Sequence, residues 1–274
     1  MSATAATADL EAIKQKQQAT WATGDFSVVA ARIVLAAENL CEAADLQAGW
    51  KVLDVATGSG NAAIAAARRG CNAVGADYVP ALLARGKLRA AAEHLTVEFV
   101  EADTEKLPFH DASFDAVTSI YGSMFAPNHA KAAGEIARVC KPGGRIALAS
   151  WTPDGYVGQM FKLFSTFVPP TVPLQPPPLW GTEPHLKSIF GSAIKSIRSN
   201  VRQAVMRFIS PEQKVEVFRA YFGPTVKAFA ALPPEKQQEL NQQWIELIRK
   251  FDRNKGNGPV AVSADYLESV IERA

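Results

Sequence analysis

The chain has 274 residues, 48% of them hydrophobic and 20% charged, a balance that fits a folded globular protein and excludes a disordered one. Its 29 basic and 27 acidic residues leave a formal net charge of +2, too little for a long-range field that would gather nucleic acid. Any polyanion role would therefore need a local patch.

The opening stretch MSATAATADLEAIKQKQQ has neither a basic start nor an apolar core, so it does not read as a secretory signal. No apolar run approaches the roughly 20 residues of a membrane helix. The expected location is the cytoplasm, with no membrane partner. From Trp50 to Trp151, short apolar runs alternate with helical stretches. Lys51–Val55, Ala73–Asp77, Thr96–Glu101, Phe114–Ser119 and Arg145–Ser150 read as strands, with helices at Asn61–Arg69, Pro80–Glu93 and Asn128–Cys140. Such alternation predicts an α/β fold with a parallel sheet covered on both faces. Gly49, Gly70 and Pro142–Gly143–Gly144 punctuate the units.

After Trp151 the pattern changes. Tyr156–Val168 reads as a helix, and the six prolines of Pro169–Trp180 predict an extended loop. Ile194–Ile209 alternates like a strand, with Ile197, Val201 and Val205 on one side and Arg198, Asn200 and Arg202 on the other. Pro211–Lys255 is helical with breaks at Gly223–Pro224 and Leu232–Pro234, and Pro259–Tyr266 reads as a last strand. The expected organisation is an N-terminal helical segment (1–48), an α/β core (49–153) and a C-terminal part (154–274) whose helices 211–255 form a lid. A packing appendage or a homodimer interface is the other use of those helices.

Cys41, Cys71 and Cys140 are odd in number and lack CxxC spacing, which argues against a disulfide framework or a zinc site. No metal is expected, and the thiols read as small buried hydrophobes. The informative stretch is Val52-Leu53-Asp54-Val55-Ala56-Thr57-Gly58-Ser59-Gly60-Asn61. A strand runs into a turn with two glycines, and a helix follows. Glycine lets the backbone approach a ligand, and the helix start offers free N–H groups. Many nucleotide-binding folds share that pattern, so the acids decide. Asp54 would oppose a pyrophosphate but suits a ligand carrying an ammonium and a sulfonium. Asp77 ends the next strand, where a carboxylate can accept both hydroxyls of a ribose. Asp103 follows the third strand, placed to accept from an adenine amine. The plain alternative for any one acid is a cap or a solvated loop residue; all of them at strand carboxyl ends fit a ligand crevice better.

With VGADY, EADTEKLPFHDASFD and RVCKPGGRIALASW alongside VLDVATGSG, residues about 50–152 resemble the class I S-adenosylmethionine-dependent methyltransferases. They look closest to the branch with the C-methyltransferases of ubiquinone and menaquinone synthesis. The resemblance implies a Rossmann-like seven-stranded, mostly parallel sheet with the last strand antiparallel. It implies S-adenosylmethionine as cofactor, with Asp54, Ala56, Thr57, Gly58 and Gly60 around its methionine end. Asp77 would hold the ribose. Tyr78, Ala102, Asp103 and Thr104 would surround the adenine, and Ser119 and Tyr121 would line the methyl end. Ala56 departs from the family's usual first glycine. The N-terminal stretch Gln17–Phe26 resembles a helix that closes over the cofactor, bringing Trp21 or Phe26 to it.

The implied reaction is in-line methyl transfer to a small molecule, in which alignment does much of the work. Tyr121 and His129 are the candidate catalytic residues, from their positions after the fourth strand. Ser119-Ile120-Tyr121-Gly122 lacks the Asp/Asn-Pro-Pro-aromatic signature of base amino methylation, and the basic residues Lys195, Arg198, Arg202 and Arg207 fit an exposed strand face, so no nucleic acid partner is expected. Aromatic residues after 151 (Trp151, Phe161, Phe164, Trp180, Phe218, Tyr221, Phe222) suit an apolar or aromatic acceptor. The rivals are an NAD-dependent oxidoreductase and a cofactor-binding regulatory protein without turnover.

Overall fold

The computed structural model describes residues 3–170 and 172–274, with side chains from residue 10 onward; residues 1 and 2 of the N-terminal segment and residue 171 of the Pro-rich loop lie outside the described residues. Helices α1 (Ala3–Trp21), α2 (Phe26–Ala30) and α3 (Val34–Ala43) precede β1 (Lys51–Val55). Then follow α4 (Asn61–Arg68), β2 (Asn72–Asp77), α5 (Pro80–Ala92), β3 (Val97–Glu101), β4 (Phe114–Ile120), α6 (His129–Val139) and β5 (Cys140–Trp151). The last part contains α7 (Tyr156–Phe167), α8 (Glu183–Phe190), β6 (Ile194–Phe208), α9 (Pro211–Tyr221), α10 (Gly223–Ala230), α11 (Pro234–Lys250) and β7 (Val260–Arg273).

The strands form one seven-stranded sheet in the order β3-β2-β1-β4-β5-β7-β6. Strands β1 to β5 pair in parallel, and β7 is antiparallel to both neighbours, as expected for the last strand. Central strands carry apolar residues on both faces because helices cover both; Val52, Leu53, Val55, Ala116 and Val117 are all buried. The reversal of strand order between β1 and β4 opens a crevice beyond their carboxyl ends.

Helix starts follow local chemistry. Asn128 accepts from Lys131 N at 3.0 Å ahead of α6, and Ser210 accepts from Gln213 N at 3.2 Å ahead of α9, where Pro211 takes the first turn. The breaks between α9, α10 and α11 fall at the expected Gly–Pro and Pro–Pro positions.

Several expected elements are corrected. Strand β7 runs on to Arg273, past Tyr266, because Glu268 and Ser269, which interrupt the apolar run, are themselves buried; Glu268 accepts from Arg202 at 2.8 Å and Ser269 bonds Ser199 at 3.0 Å. Strand β5 begins at Cys140, so Pro142–Gly143–Gly144 sits within a bulged strand start, with a register shift against β4. The Pro-rich segment ends in a 3-10 turn at Pro177–Gly181, followed by the unforeseen α8. On β6 the apolar series is not the buried one: Val201 is 64% exposed, whereas Met206 and Phe208, on the same side as Arg202, are buried. Packing against α9 decided that, not alternation alone.

Lys195 pairs with Glu272 at 2.6 Å and Arg202 with Glu268, which accounts for part of the basic series on β6. The three cysteines are free and buried. Burial pushes the Cys41 and Cys140 thiols up to about 12, so neither is a ready nucleophile. Among the described residues no helix is long and apolar enough to cross a membrane.

Candidate active site

The carboxyl ends of β1, β2 and β4 and the segment after β3 converge on a cavity of about 900 Å³. Lys14, Gln17 and Trp21 of α1 and Phe26 of α2 line it from the N-terminal side. The turn after β1 makes its floor. Ala56 (φ 53°) and Gly58 (φ 56°) both take the left-handed conformation, one that favours glycine. Such a conformation costs an alanine about 1 kcal/mol. Gly122 lies so close to Ala56 that a Cβ on it would meet the Ala56 carbonyl oxygen at 2.5 Å.

Two buried carboxylates organise this floor. Asp54 Oδ2 accepts from Thr57 Oγ1 at 2.5 Å and from Ala63 N at 3.2 Å, and Oδ1 accepts from Thr118 Oγ1 at 2.9 Å. Asp77 accepts from Gly58 N at 2.8 Å on one oxygen and from Val79 N at 2.9 Å on the other. Burial raises both carboxyls to about 6 in spite of these donors. The Tyr78 N–H also favours the Asp77 carboxylate, which lines the cavity and faces any ligand there. The site thus favours ligands that bring positive charge or hydroxyl donors.

Lys14, on α1, bridges Asp103 Oδ2 at 2.8 Å, Glu11 at 2.7 Å and Glu105 at 3.5 Å. Burial by itself lowers the lysine, but its bonds to Asp103 and Glu11 and the nearby carboxylate charges overcompensate and raise it. Gln18 donates to the Tyr78 carbonyl, so α1 is tied to the cavity rim at two points. The Lys14–Asp103 pair spans 89 positions of sequence, and nothing local to either residue signalled it.

Of the sequence-proposed cofactor residues, Trp21, Asp54, Ala56, Thr57, Gly58, Asp77, Tyr78, Asp103, Thr104 and Tyr121 line this cavity. Gly60, Ala102 and Ser119 do not. Gly60 (φ 87°) starts α4, and a Cβ there would meet the Phe99 ring at 3.1 Å, so glycine serves packing. Ala102 donates its N–H to the Asp77 carbonyl at 3.0 Å and extends the sheet ladder. Strand alternation turns Ser119 away from Thr118 and Ile120; its hydroxyl donates to the Val55 carbonyl at 2.8 Å. Ile120 takes the place assigned to it.

A second cavity of about 480 Å³ adjoins the first. Trp21, Phe26, Ile33, Tyr121 and Phe125 line both. Its remaining walls come from Val29, Trp151, Tyr156, Val157, Met160, Phe161, Met206, Phe218 and Phe222. The Tyr121 ring stacks on Trp151 with centroids 3.7 Å apart and planes 5° from parallel. Its hydroxyl is buried without a partner, and burial pushes the phenol well above its usual range, so the ring is a wall and the oxygen is no ready base.

His129, the other catalytic candidate, lies away from this junction. It is buried outside both cavities, with Nδ1 2.9 Å from His185 Nε2 and its ring edge-on to Trp180. Burial, with His185 adding to it, lowers His129 to about 4. Tyr221 is 39% exposed, Phe164 packs on Trp244 and Trp180 on His129, so these aromatics serve the core or the surface. The described residues of the Pro-rich loop do not line the second cavity. Among the described residues, no cluster of three or more His, Cys, Asp or Glu could hold a metal ion.

Residues 53–148 match a family model described as a methyltransferase domain. An uncharacterized protein of Mycobacterium tuberculosis, Rv1405c, is 36% identical over 239 residues, spanning 85% of this chain and 87% of that protein. The demethylmenaquinone methyltransferase of Thermus thermophilus is 40% identical over 118 residues, 42% of this chain and 54% of that enzyme. Among solved structures, the YcgJ protein of Bacillus subtilis superposes with a TM-score of 0.61 at 19% identity, covering 87% of this chain and 99% of that one.

Proposed function

The chain belongs to the class I S-adenosylmethionine-dependent methyltransferases, and on that premise we propose that its first cavity binds S-adenosylmethionine and its second an apolar or aromatic methyl acceptor. The observation that carries this reading is the junction of two unlike cavities at Tyr121 and Phe125. One presents buried carboxylates and turn backbone; the other presents hydrocarbon and aromatic rings.

When bound, the cofactor supplies a methyl group on a positively charged sulfonium. Asp77 is suited to accept from both ribose hydroxyls, since Gly58 and Val79 already hold its carboxylate in place. Tyr78 and Asp103 flank the adenine position, with Lys14 fixing Asp103. Asp54 holds the turn through Thr57 and contributes negative charge opposite the cationic methionine end. A pyrophosphate would meet two buried carboxylates at the same floor, which disfavours a dinucleotide.

Tyr121 and Phe125 border the junction where the partners meet and keep water from the reacting atoms. No His, Asp, Glu, Lys or Arg among the described residues lines the second cavity, so alignment and the acceptor's own acidity carry the chemistry. Helix α9 and its junction with α10 act as its cover through Phe218 and Phe222, and the buried, free thiols suit a reducing cytoplasm. Calorimetry with S-adenosylhomocysteine and with NAD, followed by labelled methyl transfer into a fractionated metabolite extract, tests the proposal. S-adenosylhomocysteine is expected to bind in the micromolar range and NAD not at all; the opposite preference overturns it.

A further inference from the structure

Lys214 of α9 has no place in the reaction so far. Its side chain is fully buried at 0% exposure, and Nζ has no hydrogen-bond partner. Aromatic rings box it in: Nζ lies 3.6 Å from the centroid of Phe218, 4.9 Å from Tyr156, 5.4 Å from Phe208 and 5.8 Å from Trp244. Phe218 and Tyr156 are also walls of the second cavity, in the part it does not share with the first. The amine therefore sits one side chain behind the deep end of the acceptor cavity.

Burial, with Arg32 adding a like charge, holds the amine well below its usual range. Glu212, two positions away on α9, points to a different side of the helix, is half exposed and lies 3.5 Å from Arg249, so it does not neutralise Lys214. The aromatic faces return part of the lost solvation, but an unpaired ammonium in such a place remains costly. A methionine would fill the same space without that cost. A lysine stem is flexible enough to carry Nζ past Phe218.

Resting on the assignment of the second cavity to the acceptor, we infer that the acceptor carries an acidic oxygen that pairs with Lys214 at the deep end. One proton passes from that oxygen to Nζ: the O–H bond breaks, an N–H bond forms, and a neutral amine and a neutral acid become an ammonium–oxyanion pair. Total charge does not change, which is the condition for entering an apolar site. Lys214 thus selects among apolar ring compounds for those with an ionisable oxygen.

The test uses 2-naphthoate and its uncharged counterpart 2-naphthamide as probes, measured by calorimetry on the full chain. The unmodified protein is expected to prefer naphthoate by about tenfold or more. It should take up about one proton per naphthoate bound, read from buffers of different ionisation enthalpy. Lys214→Met should reverse the preference and abolish the uptake, while affinity for S-adenosylhomocysteine stays within about threefold. Proton uptake is read on the unmodified protein, so it decides even if the variant folds poorly. Absence of naphthoate binding, binding without uptake, or a preference unchanged in Lys214→Met overturns the inference. Met160→Trp, which fills the cavity, should eliminate binding of both probes. Probe binding that survives Met160→Trp overturns the cavity assignment itself, whereas binding that Met160→Trp removes but Lys214→Met leaves alone overturns only the lysine's role.

Discussion

The two cavities share five lining residues and are otherwise built on opposite terms. The first is made by strand ends and a turn, where backbone N–H groups hold Asp77 and side-chain hydroxyls hold Asp54. Beyond the shared residues, the second is made largely by side chains of α2, α7, α9, β5 and β6, among which no backbone geometry fixes a ligand. A site written in strand ends can stay fixed while the second cavity varies, because the walls of the second cavity belong to other elements. The lesson is that cofactor and acceptor affinities should be separable by mutation.

The largest effect should come from the floor of the first cavity. Gly58→Val forces a branched residue into a left-handed conformation and adds atoms on the cavity side, where the first added carbon would lie 3.7 Å from Phe26. Asp77→Ala removes the acceptor of Gly58 N and the expected ribose contacts. Each lost charge-assisted bond is worth about 1.5–3 kcal/mol, so affinity for S-adenosylhomocysteine should fall by on the order of a hundredfold, and further in Gly58→Val. Calorimetry on folded variants checks this, and acceptor-probe binding in the second cavity should persist. Unchanged cofactor affinity in a folded Asp77→Ala would break the assignment of the first cavity.

A smaller effect follows from the raised carboxyls. Asp54 and Asp77 sit at about 6 when folded against 3.8 for an ordinary aspartate, so the folded chain holds protons that the unfolded chain has released. Stability of the free protein from these groups is therefore present below about pH 4 and lost as pH rises through about 6. A cationic ligand favours the ionised forms, so its affinity should rise from pH 5 to pH 7, by about tenfold for each group that must ionise, with proton release on binding. Thermal melts and calorimetry across that range read both signs. A flat affinity profile would mean that neither carboxylate senses the cofactor.

The smallest effect on the cofactor should come from the second cavity. Phe222→Leu thins a wall that stands 5.6 Å from Trp21. Acceptor KM should rise several-fold while cofactor affinity stays within about threefold, under ~1 kcal/mol. A change of association state with unaltered acceptor kinetics would instead assign this helix to contact between copies.

The sequence carried the core because its signals are local. Strand–helix alternation, the two-glycine turn and acids at strand ends are read within a few residues, and they located Asp54, Gly58, Asp77 and Asp103 at one cavity. Where a single step of strand alternation mattered, local reading slipped: Ser119 bonds the Val55 carbonyl while its neighbours Thr118 and Ile120 face the crevice side. His129 had the right edge of the sheet but the wrong surroundings, since its partner His185 lies 56 positions away on α8.

What the sequence determined by itself is therefore the strand–helix alternation of the sheet and the polar floor beyond its carboxyl ends, which follow from periodicity and backbone chemistry, while the antiparallel last strand came from the family resemblance. Only tertiary structure decided which of many aromatics face a cavity and which fill the core. Phe218 and Phe222 line the second cavity while Phe164 and Trp180 do not, and Lys214 becomes an unpaired amine behind its wall. Such choices depend on how α2, α7 and α9 pack together, and hydrophobic burial has no direction that a linear pattern could record.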